Sequence, residues 1–113
     1  MERSGNADPT PAVVDVPALS RFEVRLGGAV AGFSAYTRRP PLMTFTHTEV
    51  DPRFEGRGLG GRLVAAALEA TGAAGLSVIP ACPFVREYIA RHPRYLDLVP
   101  EDRRAEFGLP AGG

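Results

Sequence analysis

The sequence predicts an α+β domain: a mixed sheet of about four strands, an antiparallel meander plus one βαβ crossover, with two helices packed on it. Between residues 21 and 50, apolar side chains alternate and are rich in β-branched and aromatic types, the signature of strands. From Leu59 the apolar spacing changes to that of a helix, and a short apolar run follows at residues 76–79. Strand, helix and strand in that order make a crossover, which joins parallel strands right-handedly.

Residues 21–26 (RFEVRL) put Phe22, Val24 and Leu26 on one face, and Gly27-Gly28 reads as a two-residue hairpin turn. Residues 29–37 form a second strand, weakened by Gly32, and RRPP at 38–41 turns the chain. Residues 42–50 (LMTFTHTEV) complete an antiparallel meander. Strict alternation puts Thr44, Thr46, Thr48 and Val50 on one face of that strand, and Phe45, His47 and Glu49 on the other. Leu59, Leu63, Ala66, Ala67 and Ala70 mark the stripe of the first helix, which Gly72 and Gly75 end. Pro83 suits the first position of a second helix, with Cys82 as its N-cap. Phe84, Val85, Tyr88 and Ile89 share one face of it, and Pro93 stops it. The folded unit is expected over residues 13–100, between disordered tails at 1–12 and 101–113.

Composition excludes several classes. With 113 residues, 44% hydrophobic and 23% charged, the chain is an ordinary globular domain. Thirteen basic residues balance thirteen acidic ones, which argues against a nucleic-acid or anionic-membrane partner. The longest wholly apolar run, 63–68, falls far short of the roughly 20 residues that span a bilayer. No basic-then-apolar leader opens the chain, so a cytoplasmic protein is expected, as monomer or homodimer. One cysteine excludes a disulfide framework and any multi-cysteine metal centre, and no metal is expected. Every basic residue is Arg, so the chain has no ε-amine to act as nucleophile, Schiff-base former or internal acyl acceptor.

The most informative segment is VDPRFEGRGLGGRL, residues 50–63. A strand ends at Val50, glycines stand at 56, 58, 60 and 61, and a helix begins at once. Glycines there let backbone N–H groups approach a ligand, and a helix N-terminus adds about half a positive charge. Both favour a phosphate or pyrophosphate, with Arg57 and Arg62 as neighbouring cations. A Walker loop is excluded because it needs a lysine. A dinucleotide-binding turn follows the first strand of a parallel sheet, whereas this one follows the third strand of a meander.

The spacing Val-x-Pro, three residues, then Gly-x-Gly-x-Gly resembles the acetyl-CoA-binding signature of the GNAT acetyltransferase superfamily. That signature reads Gln/Arg-x-x-Gly-x-Gly/Ala, and here it is Glu55-Gly56-Arg57-Gly58-Leu59-Gly60. Glu55 is the departure, because a carboxylate beside a pyrophosphate must turn away or hold the loop's own N–H groups. RFEVRLGGAVAGFSAY, TFTHTEVDP, EGRGLGGRLVAAALE and VIPACPFVREYIARHPRY extend the resemblance to the minimal, YjdJ-type branch, over about residues 21–99. The resemblance implies an acetyl-CoA-dependent N-acetyltransferase with an unassigned amine acceptor, and a cofactor site at Val50, Glu55, Gly56, Arg57, Gly58, Leu59, Gly60, Gly61 and Arg62. It also implies that the third and fourth strands splay to admit the pantetheine arm, with Phe84 and Tyr88 of the flanking helix beside it.

Within that frame Cys82 lies near the thioester, as nucleophile or as acid to the departing thiolate, or else is a small residue capping a helix. An alkyl amine, with a pKa of about 10, must lose a proton to attack, and His47 and Glu49 are the candidate bases. Backbone N–H groups around Ile79 to Ala81 are candidate donors to the thioester oxygen. Two other readings remain: a CoA- or acyl-CoA-binding module without turnover, and a small interaction domain that has kept the fold and lost the ligand.

Overall fold

The computed structural model describes residues 10–111. Its elements are β1 (Ala12–Val16), β2 (Arg21–Leu26), β3 (Ala29–Arg39), β4 (Leu42–Val50), α1 (Leu59–Ala73), β5 (Ser77–Pro80) and α2 (Pro83–Arg91), followed by short 3₁₀ turns. The sheet runs β1-β2-β3-β4-β5, antiparallel up to β4 and parallel between β4 and β5. This is the mixed sheet with a meander and one crossover that the alternation predicts, with β1 added at the edge. Gly27 and Gly28 both take positive φ, at 58° and 86°, as a tight hairpin requires.

Two departures from the sequence reading concern the ends. Ala12 already belongs to β1, where it pairs with Arg25; residues 1–9 of the expected N-terminal tail lie outside the described residues. At the other end, residues 101–109 are not a tail. Arg103 donates backbone N–H to Pro100 O, Arg104 Nε donates to Val99 O, and Leu109 is buried in the core cluster. A segment that starts charged and ends in Pro and Gly carries no periodicity, so its two apolar anchors, Phe107 and Leu109, left little signal.

The core fills one face of the sheet. Phe22, Val24, Tyr36, Met43 and Phe45 point into it from the strands, and Val85 and Ile89 enter it from α2. From α1 come Leu59, Leu63, Val64, Ala67 and Leu68, not the expected Ala66 and Ala70, of which Ala70 is exposed. Tyr36 also donates its hydroxyl to Asp15 Oδ1 at 2.7 Å, tying β3 to β1. Burial, and then that carboxylate, push the Tyr36 phenol up to about 12.

Phe33 pairs with Glu23 on β2 and with Glu49 on β4, so all three share the opposite face. Glu23 is only 3% exposed there, clasped by Arg25 Nη2 at 2.8 Å and Arg21 Nη2 at 2.7 Å. The Arg25 hydrogen bonds first, then those from Arg21, hold its carboxyl below the ordinary value of 4.5. With the folded pKa below the unfolded one, this pairing stabilises the fold above the unfolded pKa and fades as pH falls through the folded pKa. Glu23→Gln is therefore expected to lower Tm at neutral pH, with the gap to the parent chain closing on acidification from about pH 4.5 downward. Thermal melts of both proteins across that range measure it.

Candidate active site where two parallel strands part

The crossover is short on its parallel side. β4 pairs with β5 only from Leu42↔Ser77 to Phe45↔Pro80, and the last bond across is Cys82 N–H to Phe45 O at 2.8 Å. β4 runs on to Val50, so Thr46–Val50 have no partner strand on that side. The two strands are expected to splay apart; the structure shows β4 unpaired on this side beyond Phe45 because β5 ends early, where Pro80 has no N–H to donate and α2 begins at Pro83.

A bulge shapes the free half of β4. The register passes from Ala35↔His47 to Tyr36↔Phe45, leaving Thr46 without a partner on β3. Alternation therefore breaks at Thr46, and the sequence reading of this strand needs correcting. Phe45 and Thr48 share the core face, paired with buried Tyr36 and Ser34, while His47 and Glu49 lie on the other face. A period-two reading does not detect a bulge, because the extra residue leaves composition unchanged.

β4 leads into the glycine turn. Asp51 accepts from Arg53 N–H and pairs with its guanidinium, a bond that holds the Asp51 carboxyl below its ordinary value. Gly56 and Gly58 take φ of 83° and 71°, and no atom stands within 4 Å of where a Cβ would sit on either. Gly58 is the N-cap of α1, and no side chain caps the helix. The first backbone bond into the helix is Arg62 N–H to Gly58 O. Among the described residues, the N–H groups from Gly56 to Gly61 thus have no protein acceptor. That is a set of donors facing open space at the positive end of a fifteen-residue helix.

The rest of the expected cofactor set surrounds this turn. Gly60 matters for a different reason: a Cβ there would sit 2.5 Å from the tip of the Phe84 ring, which would have to shift. Phe84 and Tyr88 do not share the buried face of α2 with Val85 and Ile89; Phe84 is 42% exposed and Tyr88 half-buried. With Gly61, Arg91 and His92 they line a cleft of about 280 Å³ between the start of α1 and α2. Tyr88 stacks on His92, ring centroids 4.0 Å apart. Arg57 lies 5.6 Å from the centre of the Phe54 ring, Leu59 is buried, and Arg62 is exposed. Glu55 caps the turn at 52–54 through its own N–H and is exposed, and Val50 is half-buried at the end of β4.

The three candidate catalytic residues do not form one cluster. Cys82 is 2% exposed on the core side, and its thiol donates to Thr48 Oγ1 at 3.4 Å. No side-chain cap bond is made at the start of α2, so Cys82 occupies the N-cap position without capping through sulfur. His47 Nε2 and Glu49 Oε1 lie 2.9 Å apart on the other face, both exposed. Beside Glu49 a cleft of about 240 Å³ is lined by Val30, Phe33, Asp51 and Pro52. Thiol and carboxylate therefore flank the free edge of β4 from opposite faces. Of the expected donors around Ile79 to Ala81, Pro80 has none and Ala81 N–H bonds Ile79 O at 3.1 Å.

Sequence reasoning missed Ser34. Its hydroxyl lies 2.9 Å from Thr48 Oγ1, and the residue is wholly buried. The available signal was parity, since Ser34 falls two residues before Tyr36, in phase with the buried side of β3.

A glycine turn of unpartnered amides between strand and helix, beside the free half of β4, is the arrangement expected of a GNAT-like frame. The chain belongs to the GCN5-related N-acetyl-transferase family, whose family model matches residues 21–98. No curated protein matches the chain. No helix among the described residues is long and apolar enough to cross a membrane.

Proposed function

We propose that the chain is an acetyl-CoA-dependent N-acetyltransferase that moves an acetyl group to an amine. The observation that carries this reading is the run of unpartnered N–H donors from Gly56 to Gly61, placed beside the opening between β4 and β5. Acetyl-CoA supplies the thioester. The turn's amides and the α1 N-terminus hold its diphosphate, and the Phe84–Tyr88 cleft takes up part of its remaining surface. Glu49, oriented by His47, takes the proton from the acceptor nitrogen. Cys82, across the free edge of β4, gives its proton to the departing thiolate. Its S–H is already held as a donor to the Thr48 hydroxyl, which supports the reading of Cys82 as a proton donor.

Incubating the protein with acetyl-CoA and a panel of peptides, polyamines and small amines, while following thiol release, tests the reading. Release above the protein-free rate with at least one amine is expected. CoA binding without release across a broad panel reduces the protein to a CoA-binding module, and no binding of CoA at all removes the proposal. The missing lysines simplify the assay, because the protein offers no side-chain amine of its own.

A further inference from the structure

Three side chains from three elements form a hydrogen-bonded chain behind the opening: Cys82 at the start of α2, Thr48 on β4 and Ser34 on β3. Among the described residues two aliphatic hydroxyl side chains are buried, Ser34 and Thr71. Thr71 is accounted for by its bond to Ala67 O one helical turn back. Ser34 bonds to Thr48 instead, and a buried hydroxyl is costly without such a partner. The bulge at Thr46 creates the arrangement, since regular pairing would place Thr48 opposite to Phe45 and away from the core.

We infer that Thr48 and Ser34 are positioning residues for the Cys82 thiol, a two-hydroxyl chain that reverses its direction when the thiol gives up its proton. The inference rests on the reading of Cys82 as proton donor. A hydroxyl both donates and accepts, and its proton rotates to suit. While the thiol is protonated, Thr48 Oγ1 accepts from sulfur and its own O–H turns toward Ser34 Oγ. In the transfer, the thioester C–S bond breaks and the new C–N bond forms. The Cys82 S–H proton passes to the departing thiolate, and the proton lost by the acceptor nitrogen goes to Glu49. Sulfur then carries the charge, so Thr48 O–H turns to donate to it and Ser34 O–H turns to donate to Thr48. No proton changes owner along the chain; two donors reverse. Solvent carries the proton from Glu49 back to sulfur and closes the cycle.

The single cysteine makes this testable without turnover, because the full chain has one S–H stretching band in the infrared. Thr48→Val keeps the shape and removes the hydroxyl; Thr48→Ser keeps the hydroxyl and removes a methyl. Thr48→Val is expected to move the band to higher frequency and to lower turnover about tenfold, the worth of one hydrogen bond. Thr48→Ser should restore both, and Ser34→Ala should move the band by disturbing the second link. An unmoved band in Thr48→Val and Ser34→Ala overturns the inference, as does equal impairment in Thr48→Val and Thr48→Ser, which would mark a packing role. Should Thr48→Val fail to fold, the band in Thr48→Ser and Ser34→Ala decides alone. Should the parent chain transfer no acetyl group, the proposed activity fails, while the band still reports whether the hydroxyls hold the thiol.

Discussion

Gly58→Val is expected to abolish CoA binding while the domain stays folded. Gly58 sits at φ 71° as the N-cap of α1, a conformation that costs an L-residue about 1–2 kcal/mol and a β-branched one the most. A domain with about 5–15 kcal/mol of stability survives that strain. Binding does not survive, because relieving the strain turns the amides from Gly56 to Gly61 out of register, and the new side chain stands in the open space they face. Gly58→Asn separates the two causes, since Asn tolerates the left-handed region. Calorimetric titration with CoA should show measurable affinity for Gly58→Asn and none for Gly58→Val. Unchanged affinity in Gly58→Val would move the binding site elsewhere.

Glu49→Gln is expected to lower kcat by about 10²–10⁴, the usual worth of a positioned base, with the KM for acetyl-CoA unchanged. The amide keeps the shape and cannot take the proton. Glu49 lies on the sheet face opposite Cys82 and is not among the amides that would hold the diphosphate, so CoA affinity should not follow the loss of rate. His47→Ala should cost less, because it removes the group that orients the carboxylate and leaves the carboxylate in place. Steady-state kinetics on an amine from the panel separates kcat from KM. A parent-like kcat in Glu49→Gln would remove it as the base.

The meander, the crossover, both helices and the glycine turn were legible because each follows from local pattern: alternation, a change of period, and glycines where φ must be positive. The candidate site residues could be named from the sequence, but their arrangement could not. His47, Glu49 and Cys82 are all beside the parting strands, but the bulge at Thr46 decides which face each occupies, and a bulge is a property of the pair β3–β4 rather than of either sequence. Ser34 was hidden for the same reason: its significance lies in Thr48, fourteen residues away. Phe84 and Tyr88 left the apolar face of α2 because Gly60 and Gly61 offer side-chain-free surface that aromatic rings can cover, a tertiary effect that helical spacing does not carry. β1 and the packed residues beyond Glu101 were missed because short or aperiodic segments gain their order from the core they touch.

The parallel seam between β4 and β5 ends at Phe45, so the last strand and α2 are fastened to the sheet by fewer cross-links than any inner strand. Amide protons along 77–91 should exchange with deuterium sooner than those of β2 and β3, because sub-global opening begins where least must be undone. A molecule that bridges α1 and α2 would slow exchange there more than elsewhere. The domain would then carry an internal gauge of occupancy in the protection of its final strand and helix.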